Sequence, residues 1–158
     1  MSKNSFLVIF LLISFQISSN DVSIEIDISE QRLYLIEGLD IQASYAVSTS
    51  KYGEGSIENS FKTPLGYHVI KEKIGEGAKK NTIFKSRINT RRSADIIEEY
   101  HDSEDDFVTS RIMWLDGKEE GKNKGGSVDS FARYIYIHGT HEEGLIGTKA
   151  SHGCIRMF

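Results

Sequence analysis

Cys154 is the chain's only cysteine. It stands in Ser151-His152-Gly153-Cys154, downstream of a second histidine, His138, at the end of the stretch Tyr134-Ile135-Tyr136-Ile137-His138. A thiol becomes an acyl-transfer nucleophile when a base takes its proton and hydrogen-bond donors hold the oxyanion that forms on the attacked carbonyl. This segment supplies each part. Cys154 is the candidate nucleophile and His138 the candidate base. Gly153 lets the backbone approach closely, so that successive amides around it can point at one spot. Three other readings stand beside this one. The thiol could be a small buried hydrophobe, it could form an intermolecular disulfide, or with His138, His152 and His141 it could bind zinc. The flanking glycine and histidines argue against an inert buried role, and the spacing fits no zinc motif.

Period-two alternation places Ile135 and Ile137 on a core face and Tyr134, Tyr136 and His138 on the opposite one, so a strand would deliver His138 from a fixed direction. Gly139 and Thr140 then let the chain leave tightly. Ile155, Arg156 and Met157 are expected to begin a helix whose N-terminal dipole would lower the thiol pKa. Upstream, residues 22–28 alternate as a strand, residues 29–31 turn, and residues 32–37 alternate again toward a hairpin closing at Gly38. A third strand is expected over 41–49. A polar loop over 50–62 leads into Thr63-Pro64-Leu65-Gly66, a turn that should feed a strand over 67–74. His68 on that strand reads as structural.

The middle of the chain is less legible. Residues 75–92 are basic. Residues 93–100 are expected to form a short helix capped by Ser93. The acidic cluster over 102–106 lacks the ligand spacing and central glycine of a calcium loop and reads as solvated. A strand is expected over 107–115, then an exposed loop over 116–127 flanking a substrate cleft.

A chain of 158 residues suits one domain, and 39% hydrophobic with 10% aromatic residues suffices for an ordinary core. The net charge of -4 gives no polybasic footprint, so neither nucleic acid nor an anionic membrane surface is expected as partner. No metal or nucleotide motif appears, and no cofactor is expected. Residues 1–19 combine Lys3, an apolar run over 6–15 and a polar stretch with serines, the pattern of a secretory signal peptide. A buried N-terminal helix is the alternative. Export makes a lone thiol unusual, because an exported cysteine is normally paired.

IHGT followed by SHGCIRM resembles the catalytic signature of the L,D-transpeptidases, the YkuD-like family that remodels bacterial peptidoglycan. Weaker resemblance runs upstream through Thr-Pro-Leu-Gly and the early strands. The resemblance implies a mainly β, sandwich-like domain over residues 20–158 with one or two short helices and the cysteine at the start of a helix. It implies that Cys154 is the nucleophile, His138 the base and the Gly139 carbonyl the group that orients this histidine. Ser151, His152 and Gly153, with Cys154, would form the oxyanion and substrate-binding segment, and Arg156 would hold the cleft or bind a substrate carboxylate. The implied reaction attacks the bond between diaminopimelate and D-alanine in a stem peptide and passes the acyl group to another stem peptide, a lipoprotein lysine or water. Such a protein would serve cell-wall biogenesis and cell shape, as a monomer in the periplasm or exported to the cell envelope. The family signature normally continues beyond the arginine, so a domain truncated at its C-terminal end is expected here. An L,D-carboxypeptidase, or an inactive domain that only binds peptidoglycan, are the alternatives.

Overall fold

A computed structural model describes residues 21–158. The expected signal peptide lies outside the described residues. The first three strands, β1 (Val22–Asp27), β2 (Arg32–Glu37) and β3 (Asp40–Ala46), form an antiparallel sheet in that order. Alternation drives it, as expected: Leu33 turns inward and is 4% exposed, while Tyr34 and Ile36 face the other way.

A six-stranded sheet packs against it. Its order is β6 (Ile88–Ser93), β5 (Thr82–Lys85), β7 (Val108–Gly117), β8 (Tyr136–Gly139) and β9 (Ile155–Met157), with β4 (His68–Ile74) paired to the long strand β7. All neighbours are antiparallel except β8 and β9, which run parallel. The only helical turns among the described residues are two short 3-10 segments, Gly126–Val128 and Glu143–Leu145.

Strand β7 shows why the large sheet is apolar on both faces. Met113 and Leu115 point into the space between the sheets, where they meet Leu33, Val47, Ile135, Ile137 and Ile155. Ile112 and Trp114 point the other way and pack with Phe84, Tyr136 and Cys154. One strand with period two therefore feeds both a structural core and a second cluster that contains the thiol. An apolar groove of about 580 Å³ runs along the first core between β1 and β4, bordered by Ile24, Ile26, Val69 and Leu115.

Two expectations are corrected. Residues 155–157 are a strand, because Ile155 pairs with Ile137 and drops into the inter-sheet core while Arg156 faces the opposite side. Tertiary pairing overrides the short run's local preference. Residues 93–100 form no helix. Ser93 ends β6, and the segment is pinned by long-range backbone bonds from the Ala94 amide to Asn81 and from the Ile97 amide to His141. The loop after β7 leaves at Gly117, near the end of the sheet where Trp114 pairs with Tyr136; most of it is exposed as expected, but Asn123 is fully buried and donates to the carbonyls of Leu65 and Tyr67. His68 joins the same end, accepting from Ser130 Oγ at 2.8 Å and donating to the Gly66 carbonyl at 2.9 Å. Its structural reading fits these bonds.

Ile137, 2% exposed, binds the two sheets directly beneath the second cluster. Ile137→Ala is expected to destabilise the fold by about 2–5 kcal/mol through lost burial and the cavity left behind, read as a lowered urea midpoint with an unchanged denaturant slope.

Candidate active site

Strands β8 and β9 place the chemistry. Their parallel register pairs His138 with Arg156 and Ile137 with Ile155. Residues at 136 and 138 on β8 therefore share a face with 154 and 156 at β9, and the isoleucines share the other. On the shared face a pocket of about 160 Å³ is lined by Tyr136, His138, Cys154 and Arg156, together with Ser151, His152, Asp106 and Val108. Cys154, His138, Ser151, His152 and Arg156 are thus brought together as the sequence suggested. Gly139 and Gly153 stand directly behind them.

His138 is 3% exposed, and its Nδ1 lies 2.7 Å from the Gly139 carbonyl. A carbonyl only accepts, so Nδ1 carries the proton and Nε2 of the neutral ring is left as an acceptor. Burial holds the imidazole below its ordinary pKa, against the opposing pull of that carbonyl bond. Gly139 itself has no room for a side chain. A Cβ there would meet the Thr109 carbonyl at 2.9 Å, where β7 carries a bulge between Thr109 and Ile112.

The Cys154 thiol is half-buried. It accepts from the Tyr136 amide at 3.3 Å and donates to the Tyr134 carbonyl at 3.4 Å. Burial pushes its pKa up to about 12, with the Tyr136 amide pulling the other way. This reverses the expectation of a thiol lowered by a helix dipole: a strand follows the cysteine, and a short strand has no such dipole. Beside it stands an aromatic wall. Trp114 stacks on Phe131 at 4.0 Å and meets Tyr136 edge-on at 5.6 Å. The Arg87 guanidinium lies 4.7 Å from the Trp114 ring and 4.8 Å from the Tyr134 ring.

The segment behind the thiol is tied down densely. Ser151 Oγ donates to the Cys154 carbonyl at 2.5 Å and accepts the Gly153 amide at 3.2 Å. The Gly153 amide is therefore occupied, which narrows the expected set of oxyanion donors. Gly153 has φ +124, a conformation that strains any other residue.

Arg156 is 1% exposed. Its Nη1 bonds Glu142 Oε2 at 2.7 Å, and its Nη2 lies 2.8 Å from Asp106 Oδ1 in a charge contact without hydrogen-bond alignment. Glu142, equally buried, also accepts from the amide and hydroxyl of Ser103. Asp106 reaches on to His152 Nδ1 at 2.9 Å. Burial works against the charged Asp106 carboxyl, but the Arg156 charge and then His138 and His152 outweigh it and hold it below the usual range.

Sequence reading missed Asp106 and Glu142. The acidic cluster is not merely solvated, since Asp106 faces Arg156 and Asp102 pairs with Lys51 at 2.8 Å. The signal was available: an arginine alternating with core residues needs a carboxylate, and both 102–106 and 142–143 offered one. His141 is buried as well. It is 3% exposed and packs on the Phe107 ring at 4.8 Å. Among the described residues no group of three or more His, Cys, Asp or Glu is arranged to hold a metal ion.

A carboxyl depressed in the folded state adds stability that is complete above its unfolded pKa of 3.8 and is lost as pH falls through the folded value. Asp106→Asn is therefore expected to flatten the acid limb of a plot of urea midpoint against pH. An unchanged limb would show that the Asp106 charge contributes nothing.

No curated protein matches the chain. Over residues 21–158 it matches the family model described as YkuD, the L,D-transpeptidase catalytic domain. The mainly β two-sheet architecture agrees with that match, and the chain belongs to the YkuD family of L,D-transpeptidase catalytic domains.

Proposed function

We propose that this protein is a cysteine L,D-transpeptidase acting on peptidoglycan stem peptides. Cys154 Sγ attacks the carbonyl between diaminopimelate and D-alanine. His138 Nε2 takes the thiol proton and returns it to the departing D-alanine amine, leaving a thioester on Cys154. An incoming amine from a second stem peptide or a lipoprotein then takes the acyl group and regenerates the thiol. Water in place of the amine gives the carboxypeptidase outcome. The observation that carries this reading is the parallel β8–β9 register, which sets His138 and Cys154 on one face of one pocket with His138 Nδ1 already committed to the Gly139 carbonyl.

The roles divide by position. Gly139 fixes the tautomer of His138. The Cys154 amide stabilises the oxyanion, while Ser151 and Gly153 shape the turn that presents it. His152 borders the acyl donor, and Arg156 holds the pocket walls through Asp106 and Glu142. The protein acts as a monomer, exported to the periplasm or cell envelope behind the leader proposed for residues 1–19. A domain that binds peptidoglycan without turnover is the second reading. What favours it is the resting thiol, which is protonated and bonded to the Tyr134 carbonyl.

A carbapenem separates the two. It should add one covalent adduct to the wild type, seen by intact mass, and none to Cys154→Ala. A folded wild type that stays unmodified rejects the enzyme. Incubation with a tetrapeptide muropeptide then distinguishes a crosslinked dimer from a tripeptide product.

The pKa directions give a separate test. With the thiol raised to about 12 and His138 below its ordinary 6.5, both groups are neutral at rest near neutral pH. Turnover should fall only as pH drops below 6.5, when His138 gains its proton. Thiolate ultraviolet absorbance should be absent through the neutral range; its presence there would overturn the neutral-pair description.

A further inference from the structure

The peptide between Gly153 and Cys154, whose amide would face the oxyanion, is held from behind by a side chain that lies far from it in sequence. Thr63 is 3% exposed, and its hydroxyl donates to the Gly153 carbonyl at 3.0 Å while accepting the Ser50 amide at 3.0 Å. A hydroxyl has one proton to give, and here it is spent on Gly153. Thr63 is itself immobilised: its amide donates to the Gly53 carbonyl at 3.1 Å and its carbonyl accepts the Gly55 amide at 2.8 Å. Neighbouring residues strengthen the frame. Ser50 Oγ donates to the Phe61 carbonyl, and Arg133 Nη2 donates to the Lys62 carbonyl at 2.8 Å.

The Gly153 carbonyl and the Cys154 amide belong to one planar peptide, and in a trans peptide they point in opposite directions. Fixing the carbonyl on Thr63 therefore fixes the aim of the Cys154 amide. The conformation needs this help, because Gly153 at φ +124 occupies a region where glycine has wide freedom. Ser151 Oγ already takes the Gly153 amide and cannot orient the next peptide by that bond.

We infer that Thr63 is a positioning residue for acyl transfer: its hydroxyl sets the direction of the Cys154 amide toward the oxyanion, without touching substrate. The inference rests on Cys154 being the nucleophile. It separates two kinds of thiol chemistry. Attack on a carbonyl builds an oxyanion and needs the aimed amide, whereas alkylation by iodoacetamide displaces iodide at a saturated carbon and builds none.

The experiment compares both reactions at Cys154 in wild type, Thr63→Val and Thr63→Ser. Carbapenem acylation of Thr63→Val is expected to slow on the order of 10²-fold, the usual consequence of losing one oxyanion donor. Its iodoacetamide alkylation should keep the wild-type rate, and Thr63→Ser should restore acylation. If Thr63→Val does not fold, Thr63→Ala, which introduces no new bulk, carries the same expectation. Equal acylation in wild type and variant overturns the assignment, and so does a parallel loss of both reactions, which marks a structural role alone. A wild type that is alkylated but never acylated fails the Cys154 reading instead, so the two failures are distinct.

Discussion

Arg156 carries its charge at 1% exposure, and a guanidinium in that position needs carboxylates. Transfer of an ion of this size into a low-dielectric interior costs on the order of 20 kcal/mol in the idealised limit, and several kcal/mol even after relaxation. Two carboxylates meet the demand from opposite directions in sequence. Glu142 comes from the loop after β8 and Asp106 from the segment before β7. Those two segments are the walls of the pocket in which Cys154 sits. Charge neutralisation beneath the site therefore ties the two segments to one another, and through Asp106 it also holds His152 at the rim.

The second constraint is the parallel pairing of β8 with β9. Parallel neighbours need a crossover, and the chain supplies it with the loop from Thr140 to Cys154 rather than a helix. That loop is knitted backbone to backbone against the stretch after β3, with the Ala150 and Ser151 amides on the Thr49 carbonyl and the Lys51 amide on the Ser151 carbonyl. The turn that carries Cys154 is thus supported by the first sheet's exit segment. This explains how a sequence-remote threonine comes to lie behind Gly153.

How much was legible in the sequence follows from the kind of interaction. Alternation in β1, β2 and β8 marked those strands and assigned His138 and Tyr136 to one face from the sequence alone. Cys154, His138 and Gly153 stood out by type and spacing, and the resemblance added roles for Gly139, Ser151, His152 and Arg156; the structure sets His138, Ser151, His152, Cys154 and Arg156 around one pocket. What was hidden depends on pairing at a distance. Residues 155–157 are too few to show a period, and only the register with Ile137 and His138 makes them a strand. The carboxylates of Asp106 and Glu142 looked like other surface acids until Arg156 was seen to be buried. Thr63 was read as part of a turn, since a hydroxyl's partner across the fold leaves no local trace.

Burial at the thiol has opposing consequences that a single site must reconcile. A thiol at a pKa of about 12 is almost wholly protonated near neutrality, and the protonated form neither attacks carbonyls nor exchanges readily with disulfides. For a lone cysteine proposed to work outside the cytosol, a protonated thiol resists unwanted disulfide exchange. The same burial strips His138 of its tendency to hold a proton, which keeps Nε2 free to accept one. A pair of this kind holds no standing thiolate–imidazolium charge. In the proposed reaction its charges would appear only as the thiol attacks, so the groups proposed to meet them, the Cys154 amide and the Gly139 carbonyl on His138 Nδ1, must be in place beforehand. Preorganisation of the backbone then substitutes for a standing thiolate, and this accounts for the density of hydrogen bonds behind residues 151–154.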